Sequence, residues 1–293
     1  MFLIAACLVL AVSLAWANST ITIKGSDTMV ILGQRWAEHY MKTHKDVVLQ
    51  VTGGGSGTGI AALINGTADI AQASRPMKAK EQDMMLEKRG VRAYEIATAL
   101  DGLAIYVHES NPIKQLTLDQ LKQIYQNDVT NWSEVGGPDQ DIVIYSRENN
   151  SGTYAYFKEH VLNNEDFSAY AQTLPGTAAV INAVSKDPSS IGYGGIGYSE
   201  GVRVVPVAVD AESEAYLPTE ENVNAMIYPL ARSLYWYTAG EPTGDTKALI
   251  DWVLGPEGQK LVTEVGYYPL PTGDKAETTG ASNEDAKSMK AEK

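Results

Sequence analysis

Ile21 and Ile23 alternate with polar neighbours at the period of a half-buried strand, and Met29, Leu32, Trp36 and Tyr40 then recur at helical spacing. Val47, Leu49 and Val51 return to alternation, and Ile60, Leu63 and Ile64 open a second helix that Asn65-Gly66 closes in the manner of a C-cap. Ala68-Asp69-Ile70-Ala71 predicts a short third strand. This β-α-β-α-β order points to a mostly parallel α/β sheet, in which ligands bind beyond the carboxyl ends of the strands. Leu103 to Val107 reads as an apolar strand after Asp101-Gly102, and a second α/β series follows it. In that series Thr117 caps a helix carrying Leu118, Leu121, Ile124 and Tyr125, and Ile142 to Tyr145 is a strand running straight into Arg147. Tyr154, Phe157 and Val161 mark one further helix, and Ala178, Ile181 and Val184 another, closed by Asp187-Pro188. The run from Ile191 to Tyr198, rich in glycine and tyrosine, is either a hinge or a tightly packed strand. Leu234 to Tyr237 is the last apolar strand, and Leu249, Trp252 and Val253 begin a helix that breaks at Gly255-Pro256 and resumes to Gly266.

Three segments between these elements combine glycines with small hydroxyl side chains: Gly25-Ser26-Asp27-Thr28, Gly53 through Gly59, and Arg147 through Thr153. Each sits where a helix begins. Backbone N–H groups, hydroxyls and the positive end of the helix dipole can there converge on one small anion. Taken singly, such residues are equally well read as helix caps, and Arg147 as a surface ion pair. Three such turns, one led by an arginine, point instead to an enclosed oxyanion, with neutral donors from the hydroxyls and a charged bidentate fork from Arg147. Because the turns lie in two separate α/β series, the ligand is expected in a cleft between two lobes.

The termini add an address. The first 17 residues carry no charged side chain and end in Ala15-Trp16-Ala17, the small-x-small pattern read by signal peptidase, although a positive n-region is missing. A membrane span is disfavoured because the apolar run is shorter than the ~20 residues a bilayer requires. Cys7, the only cysteine, lies too near the start to be a lipidation site, and removal of residues 1–17 leaves a chain without disulfides or thiol chemistry. Residues 273–293 have almost no large apolar side chains and read as a disordered tail. The formal net charge of −13 argues against a nucleic-acid partner. It leaves a small anion open, since surface charge is screened over ~8 Å at physiological salt.

Other chemistries fit poorly. Gly53–Gly59 lacks the dinucleotide fingerprint, and no lysine follows it to make a phosphate loop of the Walker type. Ser151 lacks the glycines of a nucleophile elbow, so a phosphate-ester hydrolase using Ser151 is the weaker reading. The four histidines, His39, His44, His108 and His160, show no paired metal spacing. No catalytic residue, metal or cofactor is assigned.

Gly25-Ser26-Asp27-Thr28-Met29, Gly54 through Ile60, Ala73-Ser74-Arg75, Asp101-Gly102-Leu103-Ala104 and Arg147 through Thr153 together resemble the phosphate-binding proteins of bacterial phosphate ABC transporters. The resemblance runs from Ile21 to about Leu270. It implies a type II periplasmic-binding-protein fold, with two α/β lobes closing over dehydrated phosphate. The expected lobes are 19–100 plus 228–272 and 101–227, and a structure placing Ser56 and Ser151 in one lobe would refute that division. It also implies phosphate contacts from Thr28 and the Met29 amide, from Ser56, and from Arg147, Ser151, Gly152 and Thr153; Ser26, Asp27 and Arg75 join them as candidates. The implied partners are inorganic phosphate and an inner-membrane ABC permease, the implied location is periplasmic or otherwise secreted, and a monomer is expected. Two positions depart from the family pattern. Arg75 stands where an aspartate commonly accepts the phosphate's proton, and Asn149 where an aspartate steadies the binding arginine. Arg75 either lines the cleft or turns away to an acidic neighbour such as Glu81. Asp27 is the nearest substitute acceptor, or else a cap of the first helix. A binding protein for sulfate or molybdate, or a phosphate sensor that does not transport, is the alternative.

Overall fold

The computed structural model of the chain describes residues 19–271; the expected signal segment and tail lie outside the described residues. Strand β1 (Ser19–Gly25) leads through a 3-10 turn into helix α1 (Val30–Thr43), β2 (Val47–Thr52), α2 (Ser56–Asn65) and β3 (Ile70–Ala73). Helix α3 (Ala79–Arg89) precedes β4 (Ala93–Val107), a strand of 15 residues. The second series comprises β5 (Leu116–Thr117), α4 (Leu118–Gln126), β6 (Val143–Arg147), α5 (Gly152–His160), β7 (Gln172–Leu174), α6 (Gly176–Val184) and β8 (Ser190–Gly195). After β9 (Arg203–Val205), β10 (Val207–Ala208) and α7 (Glu220–Asn224), strand β11 (Ala231–Ala239) returns to the first series, closed by α8 (Gly244–Leu254) and α9 (Pro256–Val265). Among the described residues, no helix is long and apolar enough to cross a membrane.

The strands join in the order β2-β1-β3-β11-β4-β8-β6-β7, with β9 also on β4. Pairing is parallel at both ends, β1 with β2 and β3, and β6 with β7 and β8. It is antiparallel in the middle, where β11 pairs with β3 and with the first two thirds of β4, from Ala93 to Gly102. The remainder of β4, Leu103 to Val107, pairs with β8. A single long strand therefore belongs to both halves of the sheet. The glycine-tyrosine run is the buried strand β8, continued by a 3-10 turn at Ile196–Tyr198.

Two large apolar cores follow from this layout. One gathers Ile21, Leu32, Trp36, Leu49, Ile70 and Trp236 with Leu249 and Val262 of the closing helices. The other gathers Leu103, Ile105, Leu121, Trp132, Phe157 and Tyr193. The Trp36 indole N–H donates to the Gly258 carbonyl at 2.8 Å, whereas the Trp236 indole nitrogen is buried without a partner. Helix starts follow local chemistry: the Thr117 hydroxyl accepts the Gln120 amide at 3.1 Å, as its position before the apolar period predicts. At the other end of α2, Gly66 adopts φ 73°, a left-handed cap that glycine enters without strain.

The fit of α2 onto β1 depends on Gly59, where a Cβ would lie 2.2 Å from the Lys24 carbonyl oxygen and 2.5 Å from the Gly25 Cα. Backbone cannot move aside as a side chain can. Gly59→Ala should therefore destabilise by about 2–3 kcal/mol through overpacking, lowering the melting temperature by roughly 5–10 °C in a chain of this size. An unchanged melting curve would show that α2 is free to slide on the sheet.

Candidate functional site

The three glycine-hydroxyl turns all lie beyond the carboxyl ends of parallel strands. Ser26 to Met29 follow β1 and turn into α1. Gly53, Gly54 and Gly55 follow β2, and the last two have φ of 107° and 87°, which deliver Ser56 to the first position of α2. Arg147 ends β6, and Ser151 caps α5. First-turn amides of a helix have no intrahelical acceptor, so these turns present donors backed by a positive dipole end.

The hydroxyls meet in a buried web. Thr28 Oγ1 lies 2.8 Å from Thr153 Oγ1, and the Ser26 hydroxyl donates to Ser74 Oγ at 2.9 Å. Ser74 Oγ is 3.4 Å from both Ser56 Oγ and Thr153 Oγ1, while the Ser74 amide donates to Ser56 Oγ at 3.1 Å. All five side chains are buried. Ser56 begins a helix that packs on β1 and β3, whereas Ser151 and Thr153 begin one whose Phe157 is in the second core. The web therefore spans the junction of the two halves. Gly152 permits this approach, since a Cβ there would stand 2.2 Å from Ser56 Oγ and 2.7 Å from Ser74 Oγ.

Arg147 supplies the charge. Its side chain is 1% exposed, its Nη2 donates to Asp27 Oδ2 at 2.9 Å, and its Nη1 donates to the Thr177 hydroxyl at the start of α6 at 2.8 Å. Its Nε is buried without a partner. Burial pulls the guanidinium pKa down and Asp27 opposes the shift, which leaves a cation at neutral pH. Asp27 is held in turn: Oδ1 accepts the Gly54 amide at 2.8 Å, and its carbonyl accepts the Tyr198 hydroxyl at 2.8 Å. Burial, with Asp27 nearby, raises the Tyr198 phenol to about 12, so it remains a donor. A Cβ on Gly53 would fall 2.4 Å from Asp27 Oδ1, which explains a glycine there. Beside this pair, the Gly57 amide donates to the Asn150 carbonyl at 2.9 Å, and Asn150 Nδ2 donates to the Gly54 carbonyl at 3.0 Å. These bonds tie the second turn directly to the third.

The structure thus brings Ser26, Thr28, Ser56, Arg147, Gly152 and Thr153 together. Four sequence-based assignments need correction or refinement. Of the two placements expected for Arg75, it takes the outward one and is not a contact of the web: its Nη1 and Nη2 donate to Glu81 at 2.8 and 2.7 Å, because Glu81 in the first turn of α3 offers a fork-matched carboxylate. The Met29 amide is taken by the Ser26 carbonyl at 3.0 Å, a consequence of the 3-10 turn. Ser151 Oγ accepts the Tyr154 amide at 3.2 Å as a helix cap, and its proton remains to be donated. Asp27 makes no side-chain cap to the first helix; it is the carboxylate partner of Arg147, filling the place left by Asn149.

Sequence reasoning missed Ser74 at the centre of the web, Thr177 against Arg147, and a buried ion pair between Asp101 and Arg232. The last had a signal in the sequence: an aspartate just before the apolar run from Leu103 to Val107 and an arginine just before that from Leu234 to Tyr237 are most simply accommodated as partners. Among the described residues, no group of three histidine, cysteine, aspartate or glutamate side chains is placed to hold a metal ion.

Comparison with known proteins agrees with this geometry. A PBP superfamily domain matches residues 13–257. The phosphate-binding protein PstS of Pseudomonas aeruginosa is 36% identical over 264 residues, covering 84% of this chain and 82% of that protein. A Clostridium perfringens crystal structure with bound phosphate superposes with a TM-score of 0.78 at 32% identity, covering 86% of this chain and all of that one. An ABC-type phosphate transport receptor from Vibrio cholerae superposes with a TM-score of 0.69 at 29% identity, over 86% of this chain and all of that one. Sheet order, paired cores and the extent of these matches place the chain in the PBP superfamily, as a member of the PstS family of phosphate-binding proteins with the two-lobed fold of that group.

Proposed function

We propose that this protein captures inorganic phosphate in the cleft between its lobes, outside the cytoplasm, and delivers it to an ABC transporter permease without chemically altering it. The observation that carries the reading is the buried guanidinium of Arg147, with its Nε unpartnered, beside a web of hydroxyls drawn from both halves of the molecule. Hydrogen bonds to an ionised ligand contribute ~1.5–3 kcal/mol each. A handful therefore exceeds the ~8 kcal/mol of micromolar binding, even after closure and desolvation. The phosphate-binding contacts in this reading are Thr28, Ser56, Arg147, the proton of Ser151, and Gly152 and Thr153, with Ser26 and Ser74 behind them. The lobes are taken as 19–100 with 232–271, and 101–231. Tyr228, Leu230 and Ala231 packing into the second core supports moving the return boundary from 228 to 232.

Calorimetry on protein stripped of ligand by unfolding and refolding tests the reading. Saturable phosphate binding at micromolar or lower concentration is expected, with sulfate and molybdate weaker. No saturable binding below about 1 mM, together with tighter binding of another oxyanion, would overturn it. Loss of high-affinity phosphate uptake on deletion of the gene is expected for a transporter, whereas unimpaired uptake would mark a sensor.

A further inference from the structure

Arg232 and Asp101 face each other in register on β11 and β4, where these crossing strands pass between the two halves. Both are buried, with side-chain exposures of 3% and 0%. Asp101 Oδ2 accepts from Arg232 Nε at 2.9 Å and from Nη2 at 2.7 Å, and Asp101 Oδ1 accepts the Ile196 amide at 2.9 Å. The same guanidinium reaches out of the pair in two directions. Nη1 donates to the Ser74 carbonyl at 3.0 Å, and Nη2 donates to Thr153 Oγ1 at 3.1 Å. The Tyr156 ring lies against it, 5.2 Å from the centroid to Cζ. One arginine on the crossing strand thus grips the Ser74 turn on one side of the cleft and the start of α5 on the other.

We propose that Arg232 is a positioning residue of the oxyanion site, resting on the phosphate-capturing reading above: held by Asp101, it fixes the Thr153 hydroxyl as a donor and pins the Ser74 turn beneath the ligand. A guanidinium only donates, so Thr153 Oγ1 accepts from Arg232 with one lone pair, which turns its single proton away from Arg232 and toward Thr28 Oγ1, Ser74 Oγ or the ligand. The Ser74 amide imposes the same constraint on Ser56, whose oxygen accepts and whose proton is left to give. Ser26 donates to Ser74 Oγ, which orders the remaining member of the web. Hydroxyls that could otherwise turn either way are presented to the anion as donors before it arrives, so less ordering remains to be done on binding. Asp101 neutralises the added cation, so Arg232 can sit in the buried floor without holding a second anion of its own.

The test is a double-mutant cycle read by phosphate titration of the stripped, refolded protein. Because Arg232→Gln alone leaves Asp101 buried and unpaired, the cycle uses the charge-neutral pair Asp101→Asn with Arg232→Gln, alone and combined with Thr153→Val. Phosphate affinity of the pair should fall about tenfold or more, and adding Thr153→Val should cost no more than about threefold beyond the worse parent, the non-additivity of residues acting through one another. Melting of the ligand-free protein is measured alongside, and the pair should melt within a few degrees of the unsubstituted chain. A folded pair that binds phosphate within threefold of the unsubstituted protein overturns the proposal. So do losses that multiply in the triple variant, because Arg232 would then act independently of Thr153. As a second handle that leaves the ion pair intact, Thr153→Ser keeps the accepting oxygen and should retain most affinity while Thr153→Val does not; equal losses in both overturn the hydroxyl-direction argument. Failure of the unsubstituted chain to bind phosphate would instead overturn the functional reading.

Discussion

Arg147→Ala should weaken phosphate binding by about a thousandfold, and sulfate and molybdate by a similar factor. Two charge-assisted bonds from one guanidinium correspond to roughly 3–6 kcal/mol, or between two and four orders of magnitude in affinity. The effect has two parts in this structure. The ligand loses the buried guanidinium whose Nε has no partner within the protein, and Asp27 is left with an unbalanced carboxylate at the cleft wall. Asp27 is partly exposed, with 20% of its side chain in contact with solvent, so its charge can be hydrated and the fold should survive. Asp27→Asn should weaken binding less, on the order of tenfold, since the side chain can still accept the Gly54 amide while releasing Arg147 from its ion pair. The same substitution bears on selectivity. Had Asp27 been the acceptor that rejects an unprotonated sulfate, Asp27→Asn would raise sulfate relative to phosphate. With Oδ1 turned to the Gly54 amide and Oδ2 to Arg147, Asp27 serves as the partner of those groups and not as the ligand's acceptor, so the ratio should stay constant while both affinities fall. A loss below tenfold in Arg147→Ala would mean that Arg147 serves the Asp27 contact rather than the anion, and that Arg232 carries the charge instead.

What the sequence made legible was whatever repeats at a strong period or follows from local chemistry. Leu32, Trp36 and Tyr40 mark α1, Leu121, Ile124 and Tyr125 mark α4, and Gly255-Pro256 separates α8 from α9, because each pattern reports burial or a broken backbone bond within a few residues. Helix α3 left almost no signal: only Met85 is buried in a segment otherwise made of charged and exposed side chains. The first two thirds of β4 were hidden for a related reason, since Ala93, Ala97, Thr98 and Ala99 are small or polar and give no alternation strong enough to read. Strand β3 begins two residues later than Ala68 suggests, because its ends are set by pairing with β1 and β11 rather than by its own composition. At the site, the residues that could be found were those on helix-initiating turns, where type and position together imply donors. What could not be found was who partners whom. Arg75 and Arg147 look alike in sequence, yet one meets Glu81 six residues on and the other meets Asp27 from 120 residues away. Long-range pairing of this kind is decided by the sheet order, and the cleft contacts of Ser74, Thr177 and Arg232 depend on the same order.

Gly152→Ala should separate binding from folding. Gly152 opens α5 with helical geometry, and alanine is favoured over glycine there by its smaller backbone entropy loss. Within its own helix the substitution is therefore neutral or stabilising, by up to ~1 kcal/mol. Across the cleft it meets Ser56 Oγ at 2.2 Å, Ser74 Oγ at 2.7 Å and Ser56 Cβ at 2.9 Å. The Ser56 hydroxyl can rotate away, but only by giving up the bond it accepts from the Ser74 amide, and its Cβ cannot follow. Closure must then stop a few tenths of an ångström short or distort the Ser56 turn, either of which costs about 1–3 kcal/mol by the overpacking scale. Phosphate affinity should fall by roughly 10- to 100-fold, mostly through faster release, as weakening at a formed interface usually does. The ligand-free protein should melt at the same temperature or slightly higher, while the extra stability that phosphate confers on the unsubstituted protein should largely disappear. This opposition of signs distinguishes the clefted arrangement from an open surface site. At a site confined to one lobe, a methyl group on Gly152 would meet nothing from α2, and binding would be retained. Stopped-flow release rates and melting curves with and without phosphate measure both halves of the expectation, and unimpaired affinity in Gly152→Ala would mean that the turns of Ser56 and Ser151 do not close on one ligand.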